Sequence, residues 1–181
     1  MKSPKLDISL VNKAKEGDTI AFRAIVETYK DPSLSLACSI MKNEQEAEDV
    51  LQEAFIKVYK SLSSFRADAN FATWLFRIVV NTSNSALRKR RWKIEVKEEC
   101  YQPDEMKISD QNFYVNKALL RMKKDESLTL RLHYLNELSI QEIQEVTGHG
   151  MSKIKMDLSR GRNNFKKELQ KLLGNESYEL L

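Results

Sequence analysis

Residues 70–92, NFATWLFRIVVNTSNSALRKRRW, read as one helix with an unusual outer face. With successive side chains about 100° apart, Phe71, Trp74, Leu75, Ile78, Thr82, Ser85 and Ala86 fall along one side. Arg77, Asn81, Asn84 and Arg88 recur at steps of four, three and four, so they line a neighbouring stripe. Exposed helix faces are ordinarily solubilised by mixed Glu and Lys. A stripe of Asn and Arg that runs into Arg88, Lys89, Arg90 and Arg91 is a different pattern, and what it touches is the question the rest of the chain must answer.

Around that helix lie 181 residues, enough for one large domain or two small ones. Five Gly, three Pro and almost no Val/Ile/Thr alternation argue for helices over sheets. The net charge of +4 is unevenly spread. Glu44 to Glu53 holds five acids and no base, whereas Arg88 to Lys97 holds six bases against one acid. Residues 98–110 hold five acids against Lys107, and 151–171 hold seven bases against two acids. Blocks of opposite sign at separate places imply separate partner surfaces. Cys38 and Cys100 have no motif spacing and read as incidental thiols of a reducing compartment. No apolar run approaches the roughly 18 residues of a membrane span, and the N-terminus lacks a signal-peptide core. A cytoplasmic protein without membrane insertion is expected.

The helical pattern divides the chain. Residues 7–30 read as one or two helices with Gly17-Asp18 as a break and N-cap, Pro32 interrupts, and Leu34 to Met41 resumes. A strong helix over 44–62 ends in the loop SLSSFRADAN. The polar stretch 93–112, with Pro103, reads as a flexible linker. The expected fold is all-α: a helical bundle over 1–92, the linker 93–112, a second helical domain over 113–175 and a tail over 176–181. Lys123-Lys124-Asp125 marks a turn within the second domain.

Catalysis finds no support in the pattern. His133 and His149 lack partners at metal or triad spacing, and no phosphate-cradling glycine motif occurs. No catalytic residue, metal site or cofactor is expected. The segment 137–173 is more telling. Ser139 with Glu142 forms a capping box, Ile140, Ile143 and Val146 a buried face, and Gly148 a sharp turn. Ser152 can cap the next helix, on which Ile154, Leu158, Gly161, Phe165, Leu169 and Leu172 share a packing stripe. Lys153, Arg160, Asn164 and Lys167 project on one open side, and Lys155, Ser159, Arg162 and Lys166 on another. A helix–turn–helix places such a second helix in the major groove, its N-terminal residues on bases and its basic residues on phosphates. A solvated Lys-rich helix is the plainer alternative.

On the acidic helix, Ala47, Val50, Leu51, Ala54, Val58 and Leu62 point inward. Glu46, Asp49, Glu53 and Ile56 fall together outside, with Gln52 at the border. An exposed Ile flanked by carboxylates fits a docking face for a basic partner, and equally a solvated surface. The loop that follows offers Phe65, Arg66, Asp68, Asn70 and Phe71. It could hold an unstacked base, or its Phe rings could pin it to the core.

In this order the pieces resemble bacterial RNA polymerase sigma factors of the extracytoplasmic-function (ECF) group. The family's second conserved region is similar to residues 47–91, with D-x-x-Q-E at Asp49, Gln52 and Glu53 followed by F-x-T-W-L at Phe71 to Leu75. Its fourth is similar to LHYLNELSIQEIQEVTGHGMSKIKMDLSRGRNNFKKEL. The resemblance implies a factor that binds core RNA polymerase and directs promoter-specific initiation. Asp49, Gln52 and Glu53, with Glu46 and Ile56, would meet a coiled coil of the largest subunit. Arg77, Asn81, Asn84, Arg88, Arg90 and Arg91 would hold the melted minus-ten element, and the loop with Arg66, Asp68 and Asn70 a flipped base. Ser152, Lys153, Lys155, Met156, Ser159, Arg160 and Arg162 would read the minus-thirty-five element while that domain packs on the flap of the second-largest subunit. An anti-sigma partner is compatible with the resemblance.

The chain departs from the family pattern at several places. Gln144 stands where a small Ala is usual, Thr147 and His149 where apolar residues are, Lys123 where a Pro is, and Ser85 where an Asp is. Asp157 replaces a frequent basic residue, and a carboxylate facing DNA would repel phosphate or accept from cytosine. Read without the resemblance, the residues also fit a free helix–turn–helix regulator with dimerising N-terminal helices, which would have no need of the Asp49-Gln52-Glu53 face.

Overall fold

Gly17 and Asp18 decide where the first helix stops and the second begins. Gly17 takes a left-handed φ of 95°, and the Asp18 carboxylate accepts from the backbone N–H of Ile20 (2.8 Å) and Ala21 (3.0 Å). The computed structural model describes residues 8–66, 70–93 and 110–173, all helices and turns. Helix α1 is Ile8–Lys15 and α2 Thr19–Met41, followed by α3 Glu44–Ser61 with a 3₁₀ turn Leu62–Ser64, and α4 Phe71–Lys93. After the gap come α5 Asp110–Arg121, α6 Lys124–Leu130 running into a π-turn Arg131–Leu135, α7 Ile140–Thr147 and α8 Met151–Leu173.

Three boundaries differ from the sequence reading. Helix α2 passes through Pro32 without a break. An interior proline costs about 3 kcal/mol, and burial of Tyr29, Ser33, Leu36 and Ala37 on one face offsets it. Helix α4 includes Lys93 and α5 starts at Asp110, so both intrude on the expected 93–112 linker, whose remainder lies outside the described residues. Ser152 does not cap α8: it sits inside the first turn, where Ile154 N–H donates to the Gly150 carbonyl (3.1 Å).

Burial follows the predicted stripes on α3, α7 and α8, whereas on α4 Trp74, Ile78, Ser85 and Ala86 are only half-buried; one apolar core runs from Val11 on α1 to Leu158 on α8. The two helical units are therefore in direct contact. Helix α7 packs on α4, and α6 with its π-turn packs on α2. Polar bonds cross the same seam. The Thr73 hydroxyl donates to Glu142 Oε1 (3.2 Å), and Lys124 Nζ donates to Asn84 Oδ1 (3.2 Å). Arg131, on the π-turn and only 1% exposed, donates through Nη1 to Ser35 Oγ and to Asn116 Oδ1 (3.1 Å).

Lys42 closes the seam at the end of α2. It adopts a left-handed C-cap with φ 57°, and its Nζ donates to the carbonyls of Leu120 (2.7 Å) and Met122 (3.0 Å). Burial, aided by the nearby Arg131 charge, lowers its pKa from the ordinary 10.5 to about 8. A neutral amine still donates to both carbonyls. Between about pH 8 and 10.5 the unfolded chain holds a proton here that the folded chain has released, so this group makes stability rise with pH across that window. Urea midpoints of wild type and Lys42→Gln at about pH 8 and about pH 10 test the sign. The wild type should gain on the variant as pH rises; a constant difference would mean that the Lys42 charge carries no burial penalty.

Candidate nucleic-acid and docking interfaces

Helix α4 is buried more widely than its predicted stripe. Ala72, Thr73, Phe76, Val79, Val80 and Ser83 are enclosed along with Phe71, Leu75 and Thr82. The second half covers a further flank, and the extra apolar letters FRIVV were the available signal for it. This leaves the Asn/Arg row as the open side. Arg77, Asn81 and Arg88 are exposed and Asn84 half-buried. Asn81, Asn84, Ser85, Leu87 and Arg88 line a cleft of about 540 Å³ whose far wall is Lys124 from α6. Arg88 Nη2 leans on Ser85 Oγ (3.2 Å).

Two residues assigned to different partners meet each other instead. Arg90 Nη1 donates to Glu46 Oε2 (2.6 Å) and to the Met41 carbonyl (3.3 Å), so both charges are engaged within the chain. The Arg91 side chain and Asp68 lie outside the described residues.

Beside this row, the loop aromatics pin the loop to the core. Phe65 and Phe71 are 4% and 5% exposed and meet edge to face at 5.2 Å, with the Trp74 ring 5.2 Å from Phe65. None of these enclosed Phe rings offers a free face to a base. Lys15 Nζ fastens the loop at the Phe65 carbonyl (2.9 Å), and Arg66 stays exposed. Asn70 caps α4, its Oδ1 accepting from Ala72 N–H (3.1 Å) while its Nδ2 reaches Glu142 Oε1 at 3.5 Å. Burial pushes the Glu142 carboxyl up, but bonds from Ser139, Thr73 and Asn70 outweigh it and hold the group below the usual carboxylate range.

On α3, Asp49, Gln52 and Glu53 are exposed and Ile56 is 55% exposed. Glu53 pairs with Lys57 at 2.7 Å. Tyr59, half exposed three residues beyond Ile56, extends this face; the helical spacing signals it, although the sequence reading passed over it. Its ring meets Phe22 of α2 edge on at 4.9 Å.

The helix–turn–helix forms as read. Ser139 and Glu142 complete the capping box, and Gly148 turns with φ 72°. On α8, Ser152, Lys155, Met156, Ser159, Arg160 and Arg162 are exposed, Arg162 donating to the Tyr134 hydroxyl (3.1 Å). Of the side with Lys153, Arg160, Asn164 and Lys167, Arg160 and Lys167 are exposed, but the Lys153 and Asn164 edge is half-buried. It faces α6, where Lys153 Nζ lies 2.7 Å from both Asp125 Oδ2 and Asp157 Oδ2, and Asn164 Nδ2 donates to Glu126 Oε2 (2.6 Å). Asp157 is 6% exposed and faces inward, so it neither repels phosphate nor reads cytosine. Burial pushes Asp125 up, but the Lys153 bond and charge, with Lys124 and His149, hold it below its ordinary value. Burial likewise depresses Lys153, and the two carboxylates more than restore it. Asp125, His149 and Asp157 are the one group among the described residues with metal-type ligand atoms, within 4.8 Å of one another. Lys153 already supplies their cation, and an ion would have to displace it.

Known proteins resemble this chain over most of its length. Residues 25–93, from mid α2 through α4, match the family model "Sigma-70 region 2". The RNA polymerase sigma-H factor of Pseudomonas aeruginosa is 30% identical over 96% of this chain and 98% of its own length. The chain belongs to the ECF sigma factors. SigW of Bacillus subtilis is 28% identical over 90% of this chain and 96% of its own, and sigma-E of Escherichia coli 28% over 96% and 99%. Two solved structures share the fold. The sigma factor RpoE of Bartonella quintana, in complex with the anti-sigma factor NepR, has a TM-score of 0.68 at 23% identity, covering 82% of this chain and 96% of that one. CnrH, bound to the cytosolic domain of CnrY, gives 0.63 at 21%, covering 89% and 95%. As an ECF sigma factor the protein partners with core RNA polymerase and promoter DNA and directs promoter-specific transcription initiation. Sigma factors are not themselves enzymes. Among the described residues no helix is long and apolar enough to cross a membrane.

Proposed function

We propose that this ECF sigma factor divides its work among three faces on α3, α4 and α8. Asp49, Gln52, Glu53 and Ile56 on α3 dock on the polymerase coiled coil, carboxylates meeting cations around an apolar centre. Arg77, Asn81, Asn84 and Arg88 on α4, with Arg66 and Asn70 at the loop, hold the melted minus-ten strand. Lys155, Met156, Ser159, Arg160 and Arg162 on α8 read the minus-thirty-five duplex, with the same half seated on the polymerase flap. Residues 1–92 and 113–175 are the two working units and 93–112 the connection between them. The chain acts in the cytoplasm by recognition and holding alone, with no catalytic residue of its own. An anti-sigma protein that covers these faces is the corresponding silencing partner, a reading supported by the Bartonella quintana RpoE structure, which holds the anti-sigma factor NepR.

The observation that supports this reading best is the polar row of α4. Amide and guanidinium groups line an open cleft inside the segment that matches region 2. Unstacked bases are bound by hydrogen bonds to their edges together with backbone charge, which is what such a row provides. Start sites mapped by transcribing genomic DNA with the reconstituted holoenzyme would supply a promoter. On that promoter, Asn81→Ala with Asn84→Ala should shorten the open-complex lifetime about tenfold or more, two hydrogen bonds at about 1 kcal/mol each. Permanganate reactivity of the melted thymines should fall with it, while polymerase co-migration is unchanged. Wild-type melting in the double variant would remove α4 from the minus-ten role.

A further inference from the structure

The departures at His149 and Asp157 do not lie at the DNA face. Asp157 and Asp125 converge on the Lys153 ammonium, which sits 2.7 Å from each carboxylate, and a His149 ring nitrogen lies within 4.8 Å of both. The four residues come from three segments: the first turn of α6, the turn before α8, and the first two turns of α8. One helical turn further along, a Cβ on Gly161 would stand 3.2 Å from Leu130 Cγ, so α8 and α6 are as close there as side chains allow. Beyond that, Asn164 donates to Glu126, itself only 6% exposed. Charge clasp, close approach and a partly buried amide bond thus follow one another along the α6–α8 contact.

Such a row fixes the tilt and rotation of α8: Lys153 is braced within its own helix by Asp157, one turn on, and reaches across to Asp125 of α6, and every tie sits on the same side of α8. Sequence position alone makes Lys153 a phosphate contact, one residue before the apolar stripe at the N-terminal end of the reading helix. Its ammonium is already spent on two carboxylates, one of them enclosed. We propose that Lys153 is a positioning residue: with Asp125 and Asp157 it sets the pose in which Lys155, Ser159, Arg160 and Arg162 meet duplex DNA, and it makes no DNA contact itself. This rests on the reading of α8 as the minus-thirty-five reader.

The test uses holoenzymes competing for the strongest promoter mapped by transcription, at about 50 and about 200 mM salt. Each lost phosphate contact lowers the salt exponent by about 0.9, so the affinity deficit of a contact variant should shrink about 3.5-fold over this fourfold range. Lys155→Met should show that shrinkage. Lys153→Met should lose about fivefold or more in promoter affinity with the same deficit at both salts, because the buried Asp157 carboxylate is left unpaired and α8 shifts. Lys153→Arg should keep most of the affinity. Lys153→Met combined with Asp157→Leu should return to within about twofold of wild type, since an apolar pair can replace a buried ion pair.

A contact role cannot be restored by changing an inward-facing partner. A salt-dependent deficit in Lys153→Met, or a double variant no better than the single one, would overturn the positioning role while leaving α8 as the reader. An unchanged Lys155→Met would overturn the reading of α8 and the proposal with it.

Discussion

Reversing charge at two positions, Asp49→Lys with Glu53→Lys, is expected to abolish stable co-migration with core RNA polymerase while helical content stays the same. Both side chains are exposed on α3, and the inward residues Ala47, Val50, Ala54 and Val58 are untouched. The Lys57 hydrogen bond holds Glu53 below its ordinary pKa against a small opposing effect of burial, so it is ionised at neutral pH. Its pair with Lys57 is an exposed i,i+4 bridge, worth only about 0.3–0.5 kcal/mol, so folding barely registers its loss. The proposed docking should register the reversal strongly. Placing like charges opposite a basic partner costs several kcal/mol, so affinity should fall at least about a hundredfold. Circular dichroism and size exclusion of the reconstituted mixture give the answer. Retained affinity with intact helices would take the polymerase role away from this face, and Ile56 and Tyr59 would need another partner.

The second large effect concerns stability, and it separates shape from charge at one buried site. Arg131 is 1% exposed, and its Nε has no partner among the described residues. Burial lowers its pKa to about 10, so it remains a cation at neutral pH. No carboxylate pairs with it among the described residues. The nearby Cys38 thiol, pushed up to about 11 mainly by burial, is neutral and supplies no counterion. Truncation to Arg131→Ala opens a cavity that should cost about 2–5 kcal/mol relative to Arg131→Met, as for other long side chains removed from a core. At roughly 2–4 °C per kcal/mol for a chain of this size, its melting temperature should lie about 4–20 °C below that of Arg131→Met.

Arg131→Met keeps most of the volume and removes the desolvated charge. It should be neutral or stabilising by about 1–4 kcal/mol, because half-buried Ser35 and Asn116 can turn to water. Calorimetry on the three proteins decides. If Met proves as harmful as Ala, the guanidinium itself is holding α2, α5 and the π-turn together.

Legibility followed the range of the interaction. The α4 stripe, the capping box at Ser139 and the glycine turn were readable because their determinants lie within a few residues of one another. Pro32 misled because its local cost is visible in sequence, whereas the packing of Tyr29 and Leu36 that offsets it is not. The pairing of Glu46 with Arg90 spans 44 positions, and the α3 and α4 patterns each present their own residue as an ordinary exposed charge. Asp157 has the same lesson in reverse. Its type suggested a hostile residue at the DNA face, and only the fold turns it inward onto Lys153. The seam was the least readable of all, since Lys42, Thr73, Arg131 and Glu142 look like surface letters until the two halves are brought together.

Glu142 carries a consequence of its own. One carboxylate oxygen takes Thr73 and reaches Asn70, residues 69 and 72 positions away at the head of α4. In genetic terms the two halves of the reading frame are not independent alleles. A lesion written at codon 70 or 73 is expected to find its suppressors at codon 142, so that selection on one half of the gene leaves its mark in the other.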